Sequence, residues 1–186
     1  MIDSPYVVYH TSRQKGRGFA KMSVWTHVKC EIRLPERVVM EELQKVFGKE
    51  MDLHYPTSSD YHRKTPDGFC FDEEAYDKAW EEADVHNAKE WAEYEAHKDE
   101  YLPCGSEGTL RYERCRRSAR KTDDGKFVYR FDGALRDRSC EDGIVKWFRD
   151  RFLRWNIKHD WTFEVYAKVS ASSGVGELSW EYGKYD

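Results

Sequence analysis

A regular alternation near the start of the chain constrains the fold more than any other feature. From residue 24 to residue 34 the even positions are Val, Thr, Val, Cys, Ile and Leu, whereas the odd positions are Trp, His, Lys, Glu and Arg. A period of two with one apolar side is typical of a β-strand that buries one face. The chain is therefore predicted to contain a sheet with one polar face.

The residues after this strand predict a helix. Pro35 cannot donate a hydrogen bond to a sheet, and it suits the first turn of a helix. Apolar residues then recur at helical spacing, at Val39, Leu43, Val46 and Phe47. Gly48 predicts the end of this helix, because glycine is favoured at C-terminal caps.

Similar patterns define the rest of the chain. A long helix is indicated by aromatic and small side chains at spacings of three and four, and Asp124-Gly125 indicates the turn of a hairpin. Ser139 predicts the N-cap of a second core helix with an apolar stripe. The predicted elements are a helix at residues 72–98, strands at 109–115 and 126–135, a helix after 139, and strands at 161–169 and 178–182.

This order of elements predicts an α+β fold. Without the acidic helix and the last strand it is β-α-β-β-α-β, the ferredoxin-like arrangement, in which an antiparallel sheet carries helices on one face. We predict a single domain over residues 22–186, with an acidic helical insertion at about residues 50–103 and an extra C-terminal hairpin strand. The alternatives are a differently wound α+β sandwich and an acidic region that forms its own subdomain.

The first residues of the chain show no such pattern. Residues 1–21 lack periodicity, and we expect them to contribute no element. Because Met22 stands directly before the first strand, one hypothesis is that Met22 is the native start and that residues 1–21 are an N-terminal extension. An ordinary basic N-terminal arm is the alternative.

Composition limits the class of protein. Charged residues make up 35% and aromatic residues 15% of the chain, which favours a folded, strongly solvated protein over a disordered one. No apolar run is long enough to span a bilayer and no signal-peptide pattern is present, so we expect a cytoplasmic protein without membrane contact. The five cysteines are never spaced C-x-x-C, which favours reduced thiols, and no cofactor is expected.

Charge is distributed unevenly along the chain. Acids dominate from Asp72 to Glu100, whereas arginines dominate from Arg111 to Arg154. A rigid row of carboxylates can present negative charge to a basic groove that normally holds nucleic acid. The predicted partner-binding residues are Glu73, Glu74, Asp77, Glu81, Glu82 and Asp84. The alternative is a solvated amphipathic helix that packs through Trp80 and Trp91.

The arginine-rich hairpin supports a second interpretation, direct binding of RNA or DNA. Arginines can contact phosphates, and RNA-recognition domains stack bases on aromatic rings of a ferredoxin-like sheet. The predicted residues are Arg111, Arg114, Arg116, Arg117 and Arg120, with Tyr112, Phe127 and Tyr129 as stacking rings. Residues 125–131 lack the basic-Gly-aromatic-Gly opening of those domains, and arginines on a solvated sheet face are the alternative.

The sequence contains no enzyme signature. The G-x-S-x-G, H-E-x-x-H, P-loop and G-x-G-x-x-G motifs are all missing, so a non-enzymatic protein is expected. Asp52, His54 and His62 lie near one another and are the candidate site of a nuclease, against the simpler interpretation as polar loop residues. The histidines lack ligand spacing with the cysteines, so no metal site is predicted.

Four segments together resemble a family of small phage and prophage proteins. They are Met22 to Val28, Leu102 to Leu110, Trp147-Phe148, and the closing Trp180-x-Tyr182-Gly183. The acidic insertion and the extension before Met22 depart from the family pattern. By analogy, the resemblance implies an anti-CRISPR-like accessory factor in the bacterial cytoplasm that binds and inhibits a host nuclease or nucleoprotein complex. The oligomeric state stays open.

Overall fold

The computed structural model describes residues 10–13, 24–113, 120–137, 141–161, 164–174 and 176–183, without the side chains of residues 10–13, 120, 141 and 142. The proposed start at Met22 and the predicted cap at Ser139 lie outside the described residues. The chain forms two compact units. Residues up to Glu50 and from Tyr101 onward make up the sheet unit, and Met51–Glu100 make up the inserted unit.

Strands and helices are mixed along the chain. In chain order they are β1 (His10–Arg13), β2 (Trp25–Leu34), α1 (Met40–Phe47), α2 (Ser58–Tyr61), β3 (His62–Thr65), β4 (Gly68–Phe71), α3 (Glu73–Ala96), β5 (Arg111–Tyr112), β6 (Arg120–Lys121), β7 (Phe127–Arg136), α4 (Glu141–His159), β8 (Tyr166–Ser173) and β9 (Gly176–Tyr182). A short 3₁₀ turn at Lys98–Glu100 follows α3.

The sheet unit is built on one seven-stranded sheet. Its strands lie in the order β1-β9-β8-β2-β7-β5, and β6 also pairs with β7. All of these pairings are antiparallel. The predicted α+β class is therefore confirmed, and β9 is the extra hairpin strand that the sequence predicted.

The central strand β2 has the buried face that its alternation predicted. Ile32 and Leu34 are fully inaccessible, while His27 and Lys29 on the other face are exposed. Cys30 lies opposite Phe131 of β7 on one side and Val169 of β8 on the other. Because alternate residues of three neighbouring strands point the same way, the sheet presents one continuous apolar layer.

Helices α1 and α4 cover that apolar layer. Phe47 of α1 stacks on Phe148 of α4 with ring centroids 5.4 Å apart, and it packs on Phe131 at 5.3 Å. Burying a side chain of this size contributes about 1.5 to 3 kcal/mol. The predicted stripe of α4 is buried throughout, at Ile144, Phe148, Phe152 and Trp155.

When the inserted unit and the strands β1, β6 and β9 are left out, the order of elements is β2-α1-β5-β7-α4-β8. The ferredoxin-like assignment stays a prediction, since the sheet also carries β1 and β6, which that arrangement lacks. β1 corrects one expectation, that residues 1–21 contribute no element. His10–Arg13 pairs with β9, with His10 opposite Ser179 and Arg13 opposite Gly176.

Two strands are shorter than predicted. β5 covers only Arg111 and Tyr112, and Glu113 already lies outside it. β8 begins at Tyr166, shortly after Glu164, whose N–H donates to the carbonyl of Trp161 at 3.1 Å. A local hydrogen bond of this kind replaces the ladder bond that an extended strand would make.

Gly48 does more than end α1. Its φ is +119°, and a Cβ atom there would lie 2.3 Å from the backbone carbonyl carbon of Tyr101. The same contact brings Leu102 close enough to donate its N–H to the carbonyl of Lys49 at 2.8 Å. The chain therefore leaves and re-enters the sheet unit at adjacent positions, which lets the unit accept a 50-residue insertion between its strands.

The inserted unit consists of α3 together with the segment before it. Asp72 is the N-cap of α3, where its side chain accepts a hydrogen bond from the N–H of Ala75 at 3.1 Å. α2 and the β3–β4 hairpin precede this helix. Their aromatic rings pack on the start of α3: Tyr61 and Phe71 contact Tyr76, with centroids 5.1 and 5.4 Å away.

Candidate functional site

The carboxylates predicted to bind a partner all lie on α3. We call Glu73, Glu74, Asp77, Glu81, Glu82 and Asp84 the acidic face, and all six are exposed. On the opposite side of the helix, Ala83 and Tyr94 are buried. The helical period therefore separates a packed side from a charged side, as the sequence predicted.

The acidic face has almost no internal counter-charge. Glu82 lies 3.9 Å from Lys78, and both side chains are more than 70% exposed, so this pair contributes little. The other five carboxylates form no ion pair with any residue that the structure describes. Glu73 and Asp77, and likewise Asp77 and Glu81, are four residues apart, which places like charges on neighbouring turns.

One apolar side chain accompanies these acids. Val85 follows Glu81 by one turn of α3 and is 74% exposed. A single exposed valine is ordinary on a protein surface. Here it gives the charged side of the helix an apolar contact point.

The polar face of the sheet is charged as well, and several of its charges are paired. The two carboxylate oxygens of Glu31 on β2 accept hydrogen bonds from Nε of Arg33 at 2.8 Å and Nε of Arg130 at 2.7 Å. Burial opposes ionisation of Glu31, yet the two arginines outweigh it and hold the pKa of its carboxyl below the ordinary value. Lys168 of β8 lies 3.7 Å from Glu181 of β9.

The predicted arginines are only partly described. Arg111 is exposed on β5, and Arg120 lies in β6, where its backbone pairs with Val128. Arg114, Arg116 and Arg117 lie outside the described residues.

The stacking role predicted for Tyr112 and Tyr129 is contradicted by their burial, because both rings belong to the apolar core. The hydroxyl of Tyr112 donates to the carbonyls of Leu43 and Gly48, and that of Tyr129 donates to the carbonyl of Val38. A base could not reach these two rings without unfolding the sheet unit. Phe127 is partly buried against the same core, and its stacking role stays a prediction.

A cluster of possible ligands lies in the inserted unit. Asp52, His54 and His86 each place one ligand atom within 4.8 Å of the others. His62, which the sequence grouped with Asp52 and His54, instead places its Nδ1 2.8 Å from the carbonyl of Ser58. His86 lies on α3, and no motif could have connected it with Asp52, because 34 residues separate them.

Side chains of α3 hold this segment in place. Asn87 donates to the carbonyl of His54 and accepts from its N–H, both at 2.8 Å. Glu90 accepts from the N–H of Asp52 at 3.2 Å, and Nε2 of His86 lies 2.6 Å from the carbonyl of Asp52. The backbone groups of an extended segment are thereby satisfied by one face of a helix.

The comparisons with family models, curated proteins and solved structures found no significant match to this chain. Within the ranges that the structure describes, every helix is too short or too polar to cross a membrane. The function is therefore inferred from the acidic face and the polar face of the sheet.

Proposed function

We propose that this chain is a non-enzymatic binding protein whose acidic face occupies a cationic, nucleic-acid-binding groove of a partner protein. The partner that fits the sequence resemblance is a host nuclease or nucleoprotein complex, which the chain would inhibit by competing with nucleic acid. The observation that carries this proposal is that five of the six carboxylates of the acidic face form no ion pair with a residue that the structure describes.

The charge arrangement supports this kind of partner. Five exposed carboxylates without an ion pair among the described residues create a negative field that a cationic groove would neutralise. The acidic face runs from Glu73 to Asp84, roughly 17 Å along a helix that rises about 1.5 Å per residue. A nucleic-acid strand also presents a rigid series of negative charges, so a groove that binds phosphates offers complementary cations.

Direct nucleic-acid binding is the second candidate, and the structure favours it less. Arg33 and Arg130 on the polar sheet face are already bound to Glu31, and a phosphate would have to displace that carboxylate. Of the rings that would stack bases, Tyr112 and Tyr129 are buried and Phe127 is partly buried. Exposed Arg111 is the remaining described residue of the predicted set with a side chain free to contact phosphate.

The experiment is capture of bacterial proteins on the immobilised full chain, with and without nuclease treatment of the lysate. Under the proposal, a nucleic-acid-binding protein is retained after nuclease treatment, and added RNA or DNA oligonucleotides release it. The variant Glu74→Gln/Asp77→Asn/Glu81→Gln should lose the captured protein, because complementary charge drives the encounter.

A matched control removes the same charge elsewhere. The triple variant Glu41→Gln/Asp123→Asn/Glu177→Gln also neutralises three exposed acids, and it should retain the partner. The proposal is rejected if both triple variants bind equally well, or if nuclease treatment abolishes capture by the wild-type chain. The second outcome would favour direct nucleic-acid binding.

A further inference from the structure

We propose that Asp52, His54 and His86 form a binding site for a first-row divalent transition-metal ion such as Zn²⁺. The site is independent of the acidic face and of the partner proposed above. It joins an extended segment to α3 through two imidazoles and one carboxylate.

The distances between the ligand atoms suit one ion. Nε2 of His54 lies 3.5 Å from Oδ1 of Asp52, and Nε2 of His86 lies 3.8 Å from Oδ2 of the same carboxylate. Ligands about 2.0 to 2.2 Å from a tetrahedral zinc ion are separated by somewhat more than 3 Å, so only small movements are required. Three protein ligands would leave a fourth position for water.

The donor set selects the class of ion. Imidazole nitrogen binds zinc, copper, iron and nickel, whereas magnesium and calcium prefer sites made of oxygen atoms. Two of the three side chains here are histidines, so the site should discriminate strongly against Mg²⁺. The single carboxylate of Asp52 supplies negative charge without turning the site into an oxygen cage.

The imidazole rings must turn to share an ion. They are stacked, with centroids 3.8 Å apart and planes at 2° to each other. A ring nitrogen donates its lone pair within the ring plane, and two parallel planes do not meet at one ion. The side-chain torsion that turns a histidine ring has broad minima, and the exposure of His54 leaves space for this movement.

His54 and His86 differ in the hydrogen bonds that their rings make. His86 already has a structural role, because its Nε2 reaches the carbonyl of Asp52 at 2.6 Å, and metal binding would replace this hydrogen bond. The ring of His54 makes no hydrogen bond with a residue that the structure describes, although Asn87 holds its backbone firmly. A fixed backbone with an uncommitted imidazole beside a carboxylate is what a ligand position requires.

Isothermal titration calorimetry of the full chain with Zn²⁺, and in parallel with Mg²⁺, tests the site. We expect one Zn²⁺ ion to bind at this cluster and no measurable heat with Mg²⁺. The His54→Ala and Asp52→Asn variants should each weaken Zn²⁺ binding at least about tenfold. Both variants keep the backbone bonds of the segment to α3, and circular dichroism in EDTA would verify that they are folded.

The His62→Ala variant is the matched control, because His62 is a histidine of the same unit whose ring bonds a backbone carbonyl instead. It should bind Zn²⁺ like the wild-type chain. Absence of Zn²⁺ binding by the wild-type chain would overturn the proposal. Equal binding by the wild type and all three variants would also overturn it, since the ion would then occupy other ligands.

Discussion

The polar face of the sheet and the acidic face of α3 carry their charges in opposite arrangements. On the sheet, Glu31 binds two arginines at once, whereas on the acidic face the carboxylates stand beside one another and Lys78, 3.9 Å from Glu82, is their one ion-pair partner among the described residues. The sheet brings opposite charges together from three separate strand positions. The helix repeats one charge along a single segment. Charges that form ion pairs within one surface stabilise the fold, whereas charges without an ion pair are available to bind a partner.

Charge reversal should separate the two faces most strongly. Replacing Glu31 by Lys places a third cation between Arg33 and Arg130, and it should lower the free energy of unfolding of the sheet unit by about 2 to 3 kcal/mol. Replacing Glu81 by Lys instead places a cation one turn from Asp77 and should stabilise the inserted unit slightly. Urea unfolding followed by circular dichroism measures both effects. Equal decreases in the free energy of unfolding of the two variants would contradict the proposed difference between the two faces.

Neutralisation of Glu31 should have a smaller, pH-dependent effect. Glu31→Gln should cost about 1 kcal/mol at pH 7, a value reduced by the partial solvent exposure of the ion pairs. The pKa of Glu31 is lowered in the folded state. The stabilisation that its carboxylate provides is therefore complete above the ordinary pKa of about 4.3, and it disappears as the pH falls through the pKa of the folded state.

The difference in stability between the wild type and Glu31→Gln should therefore shrink as the pH is lowered from about 4.3 toward 2. Thermal unfolding of the two proteins across this pH range gives the difference directly. A difference that stays constant from neutral to acidic pH would show that the carboxylate charge does not act through Arg33 and Arg130.

The smallest effect is expected on α3. Glu81→Gln removes repulsion from Asp77 and should stabilise the helix by a few tenths of a kcal/mol, an effect that added salt should remove. Glu82→Gln is the matched control, because Glu82 has Lys78 as a neighbour and its loss should bring no gain. Hydrogen exchange of the α3 amides, at low and high salt, resolves changes of this size. If Glu81→Gln destabilises α3, the carboxylate has an internal partner after all.

The elements that have a strong internal period could be predicted from the sequence. The alternation of β2, the stripe of α4 and the long α3 with Asp72 before it follow from local rules, because each pattern repeats within a few residues. The exposure of the acidic face followed from the same period. The short strands β1 and β6 were not predicted from the sequence, and β5 was predicted to be longer than it is. Strands this short have too few residues to show a period, and their formation depends on the partner strand.

Contacts between groups that lie far apart in the sequence depend on the fold of the whole chain. The tertiary structure placed Arg130 against Glu31 across 99 residues and His86 against Asp52 across 34, and it buried Tyr112 and Tyr129 in the core. Pairing across strands and between a helix and an extended segment depends on register and packing of the whole chain. A local sequence window contains neither, so the cluster of Asp52, His54 and His86 and the pairing of Glu31 with Arg130 could be found only in three dimensions.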